Sequence, residues 1–259
     1  MMRTSNPVLS RRAFEGVGSF SAEDTMTIQG VVNKSLVLLF LLVLSASWVW
    51  NKAFQSVPFI GPQGTGAAVS GSVYPLMMIG LFGGMIFAFV TIFKKEWSNV
   101  TAPVYAVCEG LFIGGISAVF EMKYPGVVMQ AVVLTFGTLF CLLIAYKSGL
   151  IRATEKFKLG IVAATGAIFV VYMVNWIMSF FGASIQLINS SSNFGIGFSV
   201  VIVIIAALNL ILDFDLIEQG ASGGMPKYME WYGAFALMVT LVWLYIEILR
   251  LLAKLRERR

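Results

Sequence analysis

The most informative shortage in this sequence is of charge. Only 12% of its 259 residues are Asp, Glu, Lys or Arg, while 58% are hydrophobic, and an ordinary soluble domain is about 25% charged. A soluble protein with so little polar surface would expose large apolar patches, whereas a chain surrounded by lipid needs apolar side chains on its outside. The composition therefore predicts an integral membrane protein.

Histidine is absent, and Cys108 and Cys141 are the only thiols. The absence of His removes the commonest general base and zinc ligand, which excludes Ser-His and Cys-His nucleophilic schemes. No Gly-x-Ser-x-Gly motif occurs, and Asp213 and Asp215 are too close in sequence to form a two-helix aspartyl dyad. Both cysteines lie in apolar runs and are interpreted as small buried hydrophobic side chains. We therefore do not expect an enzyme, and an intramembrane hydrolase is the weakest of the hypotheses considered.

Long apolar runs account for most of the chain. Each is near the roughly 20 residues that a hydrocarbon layer of about 30 Å requires. The runs are continuous rather than alternating, which favours α-helices over the strands of a barrel. The predicted fold is an all-α, polytopic membrane bundle of about seven helices. The runs cover residues 36–50, 74–93, 100–120, 127–146, 159–181, 198–212 and 234–252.

Three regions follow from this pattern. Residues 1–32 are polar and mixed in charge, and they are predicted to form a cytoplasmic arm. Residues 33–253 form the transmembrane domain, in which the short link between the second and third segments predicts a helical hairpin. Residues 254–259 form a basic tail.

The net charge of +5 has an explanation in the membrane rather than in nucleic acid. Lys and Arg stand mostly at the ends of apolar segments, where they meet lipid headgroups and fix orientation. With the amino terminus inside, the inner regions carry four, two, four and one of these cations, against one, one and none outside. Seven spans would then place the basic tail outside, against the same rule. Either the sixth or seventh segment does not cross fully, or the early charges dominate.

Polar side chains at membrane depth are the best pointers to function, because each is costly unless it is paired, hydrated or protonated. Glu109 stands midway along the third segment and is expected to face the bundle interior. Asn175 and Asn209 also lie within apolar segments. They could supply carbonyl oxygens to a cation or form hydrogen bonds between helices.

A second group of acids follows the sixth segment. On a helix Asp213 and Asp215 point to nearly opposite faces, whereas Asp215 and Glu218 share one face. One interpretation is a solvated helix end; the other is a cluster of carboxylates that shares protons and coordinates a hard cation through oxygen. Glu247 belongs to such a cluster or pairs locally with Arg250, three residues on.

Small residues recur within three of the segments. They include Gly83-Gly84 in the second, Gly110 and Gly114 in the third, and residues 163–167 in the fifth. Close packing of helices in lipid is the ordinary reason for such residues. We therefore expect tight helix contacts at these positions.

These features together resemble the Bax inhibitor-1 family, and in particular its bacterial, YccA-like branch. The residues that carry the resemblance are the Glu109-Gly110 pair, Asp215 at the end of the sixth segment, and Met225-Pro226-Lys227-Tyr228-Met229-Glu230-Trp231-Tyr232 before the last span. The resemblance extends over about residues 26–252, and residues 213–250 are its most specific part.

The resemblance implies a fold with a central last helix surrounded by the other six. It also implies a pH-sensitive calcium leak attributed to two aspartates on the last two helices. Asp215 matches the first aspartate. The last segment has no Asp, and its acid, Glu247, stands closer to the helix end than the family's second aspartate. The second segment has no charge before Lys94, where the family has an arginine.

The leading hypothesis is a multi-pass protein of the bacterial inner membrane that passes cations, foremost Ca²⁺, down a gradient. Asp215 and Glu247 would contact Ca²⁺ transiently, and protonation of Asp215 would break its pairing and let the last two helices separate. No cofactor is expected. The alternative hypothesis is an interaction protein that modulates a membrane-embedded quality-control protease through the polar arm and the basic tail.

Overall fold

Seven long helices dominate the computed structural model, which describes residues 25–54, 59–61, 64–66, 71, 73–183, 185, 188 and 190–258. A 3-10 turn, Lys95–Trp97, precedes the third helix, and the strands β1 (Phe59–Gly61) and β2 (Gly64–Gly66) pair as a small antiparallel hairpin. All seven helices are long and apolar enough to cross a membrane. The predicted all-α polytopic bundle is therefore confirmed. The helices are α1 (Ile28–Phe54), α2 (Val73–Phe93), α3 (Ser98–Lys123), α4 (Val127–Lys147), α5 (Glu155–Phe180), α6 (Asn193–Ser222) and α7 (Met229–Glu257).

The helices are longer than the apolar runs that predicted them. α1 begins at Ile28, within the region assigned to the arm, because the Thr27 hydroxyl accepts a hydrogen bond of 3.0 Å from the Gly30 amide and caps the helix. Residues 1–24 of that predicted arm lie outside the described residues. α6 has 30 residues, which at 1.5 Å each is about 45 Å. Its end therefore projects beyond a hydrocarbon layer of about 30 Å.

α7 is the most buried helix of the bundle. It packs directly against α1, α3, α4 and α6, whereas α2 packs on α3 and α5 packs on α6. α5 also reaches α7 through the side chain of Tyr172. The central position that the resemblance implied for the last helix is therefore confirmed, with α2 and α5 on the outside of the bundle.

Two glycines of α3 allow α1 to approach closely. A Cβ atom on Gly110 would overlap the backbone of Leu42, and one on Gly114 would lie 2.5 Å from the carbonyl oxygen of Ala46. The close packing predicted for these glycines is confirmed. Gly166 differs, since a Cβ there would meet no atom within 4 Å. This glycine lies on the exposed side of α5.

Different helix ends meet at the two ends of the bundle. We call the end at which α1 begins the proximal end, and the end at which α7 finishes the distal end. The proximal end also contains the end of α6 and the start of α5, which the ion pair between Asp215 and Lys158 joins. The predicted hairpin of α2 and α3 is confirmed and turns here, where the Thr91 hydroxyl donates to that of Thr101 at 2.7 Å.

Both α6 and α7 are long enough to cross a membrane. The basic tail, which follows α7, therefore lies at the distal end. Lys254 is buried there, and its Nζ donates to the Ser199 hydroxyl at 2.8 Å and to the Gly195 carbonyl at 3.2 Å. Arg250 pairs with Glu247 at 3.5 Å. These two cations are therefore held by bundle groups rather than presented to headgroups, which weakens the charge conflict found in the sequence.

Candidate functional site

Asp215 joins α6 to α5 at the proximal end. Its Oδ2 atom lies 2.7 Å from Nζ of Lys158 and accepts a hydrogen bond of 2.6 Å from the Gln219 amide, one turn further along α6. Lys158 also contacts Glu155 at 3.1 Å, within α5 itself. The partner of Asp215 is thus a cation of α5, and nothing in the sequence indicated which cation it would be.

Glu218 makes a matching contact with α4. The Tyr146 hydroxyl donates a hydrogen bond of 2.5 Å to its Oε2 atom. As predicted, Asp215 and Glu218 share a face of α6, and both line the same cavity. We call these two residues the proximal acids. Together they connect α6 to both helices that meet at the α4–α5 turn.

Asp213 points to the other side of α6, towards α7, where it lies beside the side chain of Thr240. Its Oδ2 atom is buried and has no hydrogen-bond partner among the described residues. Burial of a carboxylate oxygen without a partner costs free energy. Asp213 is therefore the least satisfied of the predicted acids.

Glu247 is fully packed at the contact between α7 and α5, with only 2% of its side chain exposed. The Tyr172 hydroxyl lies 2.9 and 3.0 Å from its two carboxylate oxygens. Arg250 donates a hydrogen bond of 2.6 Å to the same hydroxyl. The local ion pair considered for Glu247 and Arg250 is confirmed, and Tyr172 is the member that the sequence did not indicate.

Glu109 lies at the contact between α3 and α2. A Cβ atom on Gly84 would lie 3.1 Å from its Oε2 atom, so this glycine makes room for the carboxylate. The Tyr105 hydroxyl lies close to the Glu109 carboxylate, and the Tyr105 ring packs against Phe235 of α7 with ring centres 5.0 Å apart. A short path of contacts therefore connects this acid to the central helix.

The remaining polar candidates have structural partners. The Asn209 amide donates to the Thr165 hydroxyl at 2.8 Å, which confirms a hydrogen bond between α6 and α5. Asn175 instead accepts a hydrogen bond of 2.9 Å from the backbone amide of Ile185 and fixes the loop after α5. Of the two free cysteines, Cys108 is half-buried and Cys141 is exposed on α4.

The predicted acids do not gather at one point. Asp213 lies opposite Thr240, and Ser199 opposite Lys254, which fixes the register of the antiparallel pair α6 and α7. At 1.5 Å per residue this register separates Asp215 and Glu247 by about 14 Å along the bundle. No cluster of three potential metal-ligating side chains occurs within the described part of the chain.

Glu230 is a buried carboxylate that the sequence analysis did not single out. Its side chain is 0% exposed and pairs with Lys34 of α1 and, at 3.2 Å, with Lys227. The backbone amide and the hydroxyl of Thr27 both donate to it at 2.9 Å. Gly30 is required beside it, because a Cβ there would overlap the carboxylate. We call Glu230, Lys34, Lys227 and Thr27 the Glu230 cage.

A crevice runs beside α7 between α1 and α4. Its proximal part is a cavity of about 880 Å³ whose lining includes the proximal acids. Its distal part, of about 470 Å³, contains Ser117 and Tyr245, whose hydroxyls are 2.7 Å apart. The two parts adjoin at an apolar boundary, because both are lined by Leu39, Phe136 and Leu241.

Comparison with known proteins identifies the family. The family described as Bax inhibitor 1 like matches residues 6–257, which is nearly the whole chain. No curated protein and no solved structure matches this chain. The chain, a multi-pass protein with seven candidate membrane spans, therefore belongs to the Bax inhibitor-1-like family.

Proposed function

We propose that this protein is a pH-sensitive cation leak, with Ca²⁺ as the leading ion, in a bacterial inner membrane. It would belong to the YccA-like branch and would not be an enzyme. The observation that supports this function is the position of Asp215. It lines the wide proximal part of a crevice beside the central helix and is paired with Lys158.

The proximal acids can act as ties that hold the crevice closed. α4 forms one wall of the crevice. α6 is tied to α4 by the contact between Glu218 and Tyr146, and to α5 by the contact between Asp215 and Lys158. Protonation of Asp215 removes the negative charge from its ion pair with Lys158. Release of α5 from α6 would let the α4–α5 unit move away from α1 and widen the crevice at the apolar boundary between its two parts.

This mechanism places the gate between α6 and α5. The charged groups around Asp215 are Lys158 and Glu155 of α5, Glu218 of α6, and Lys147 and Arg152 at the rim of the cavity. A cation would meet carboxylate, hydroxyl and amide oxygens along the crevice, which are the donors that Ca²⁺ prefers.

The test is Ca²⁺ entry into dye-loaded proteoliposomes at neutral and mildly acidic pH. We expect flux through the native protein to change with pH. Asp215→Asn should remove most of that change, because an amide carries no charge and cannot form the ion pair with Lys158. The matched control is Glu155→Gln, which removes the other partner of Lys158 but leaves α5 and α6 joined. A normal pH profile for Asp215→Asn would overturn the gate.

A second candidate function is supported by Thr25 and Met26, the residues just before α1, which contact the start of α7. Thr25 forms a bridge with Pro226, and the Met26 amide donates to the Met225 carbonyl at 2.7 Å. Thr25, to which residues 1–24 are joined, therefore lies next to the start of α7. From there they could contact a membrane-embedded quality-control protease.

Deletion of residues 1–24 is the most specific test of this second function, because it leaves Met26 and the Glu230 cage in place. We expect loss of protease co-purification with unchanged Ca²⁺ flux, because neither the crevice nor the proximal acids are altered. Unchanged co-purification would count against the partner function. Absence of flux from the intact protein at every pH would favour it over the leak.

A further inference from the structure

The proximal part of the crevice is a lateral groove that opens between α1 and α4, where its lining residues Leu36, Phe140 and Leu143 are exposed. Its walls are α1 and α4, which scarcely contact each other. The lining is mostly apolar and includes Leu36 and Leu39 of α1 and Phe140 and Leu143 of α4. Its volume of about 880 Å³ falls within the range of ligand pockets. A gap of this size between helices forfeits dispersion contacts unless hydrocarbon fills it.

The rim of the groove carries charges of both signs. Lys147 and Arg152 line it and are exposed, and neither forms an ion pair with any described residue. Glu218 is also exposed, and it accepts a hydrogen bond from Tyr146 on one oxygen. Asp215 differs, because its charge is already paired with Lys158. The free charges at the rim are therefore two cations and one carboxylate.

A further polar group lies deeper in the groove. Ser35 lines it and is 8% exposed, and its hydroxyl has no hydrogen-bond partner among the described residues. Ser35 stands seven residues into α1, which is about 10 Å below the proximal end of that helix. A ligand with a charged group at the rim and a second polar group about 10 Å below it would match these two levels of the groove.

We propose that the lateral groove holds one phospholipid with an ethanolamine headgroup. The phosphate lies at Lys147 and Arg152, and the primary ammonium lies at Glu218. The glycerol ester region lies near Ser35, and an acyl chain fills the space between α1 and α4. The lipid and a passing cation would occupy the same cavity at different times, and the lipid site can be tested whether or not the crevice conducts ions.

The rim chemistry distinguishes this lipid from others. A primary ammonium has three donors for a carboxylate, whereas choline has none and is recognised by aromatic cages. A phosphatidylglycerol headgroup has no cation to offset Glu218. We therefore expect preference for ethanolamine over both, by about tenfold for one charge-assisted hydrogen bond.

Native mass spectrometry of the full chain measures this directly. The protein is equilibrated in detergent with equal amounts of phosphatidylethanolamine, phosphatidylcholine and phosphatidylglycerol that have the same acyl chains. We expect one retained lipid, mainly phosphatidylethanolamine. Glu218→Gln should abolish the roughly tenfold preference over phosphatidylglycerol. Equal retention of the three lipids by the native protein, or an unchanged preference in Glu218→Gln, would overturn the proposal.

Two further pairs of variants test the phosphate and acyl sites. The double variant with Lys147→Gln and Arg152→Gln should lose the lipid. Its control combines Lys94→Gln with Lys156→Gln, which removes two exposed cations that do not line the groove. This control should retain the lipid. Leu143→Trp should displace the lipid by filling the groove. Its control, Leu134→Trp, changes an exposed α4 residue outside the groove and should not.

The competing occupant is the chain's own residues 1–24. If they fill the groove, the intact protein retains no lipid and deletion of these residues restores retention. That result would overturn the proposal in favour of an internal ligand. Retention by both forms, with the same dependence on Glu218, supports the lipid site.

Discussion

Gly114→Ala is expected to lower the thermal stability of the bundle, and Gly166→Ala is expected to leave it equal or higher. The two changes add the same methyl group to a helix, but at Gly114 it meets the α1 backbone at Ala46, and at Gly166 it meets nothing within 4 Å. Overpacking costs about 1–3 kcal/mol, whereas Ala in place of an unhindered helical Gly gains about 0.5–1 kcal/mol.

The measurement is the melting temperature of each purified variant in one detergent, read as loss of the monodisperse peak after heating. The opposite signs form the test, because a general effect of Ala on helix propensity would move both variants together. Equal shifts at the two positions would show that α1 and α3 do not depend on this close approach.

Removal of the Glu230 carboxylate has the second large expected effect. Glu230→Gln should destabilise the protein by about 2 kcal/mol. Loss of one member of a buried ion pair costs about 3–5 kcal/mol, but solvent reduces this value because Lys34 and Lys227 are 20% and 49% exposed. The matched control is Glu96→Gln, an exposed acid at the same end of the bundle, which should have little effect.

Gly30→Ala tests the same cage from the other side. Its added methyl group would displace the Glu230 carboxylate from Lys34 without changing any charge. Each single variant should melt earlier, and the double variant should lose much less than the sum, because both disrupt one set of contacts. Fully additive losses would mean that Gly30 and Glu230 stabilise the bundle separately.

The sequence also predicted one contact at the candidate site. Glu247 and Arg250 are one helical turn apart, so their pairing depends only on α7 being a helix. The same reasoning placed Asp215 and Glu218 on one face of α6. Contacts of this kind are local and follow from helical spacing alone.

Other contacts at the site depend on which helices become neighbours. Asp215 had several cations available between the end of α4 and the first turn of α5, and the packing of α5 on α6 selected Lys158. Lys34 is one of the four cations counted before the first apolar run, and it meets Glu230 of the neighbouring helix α7. Tyr146 and Tyr172 gave no signal, because a lone tyrosine in an apolar run is ordinary.

The sequence by itself determined that the chain lies in a membrane, that it forms about seven helices, and where most of the apolar spans run. These properties follow from composition and run length, because lipid requires apolar side chains and internally satisfied backbones. Only the tertiary structure decided that Asp215 pairs with α5, that Glu230 holds α1 against α7, and that α1 and α4 leave a groove between them. In lipid, helix pairing depends on side-chain fit and a few polar contacts rather than on burial from water. The hydropathy of the sequence does not predict that fit.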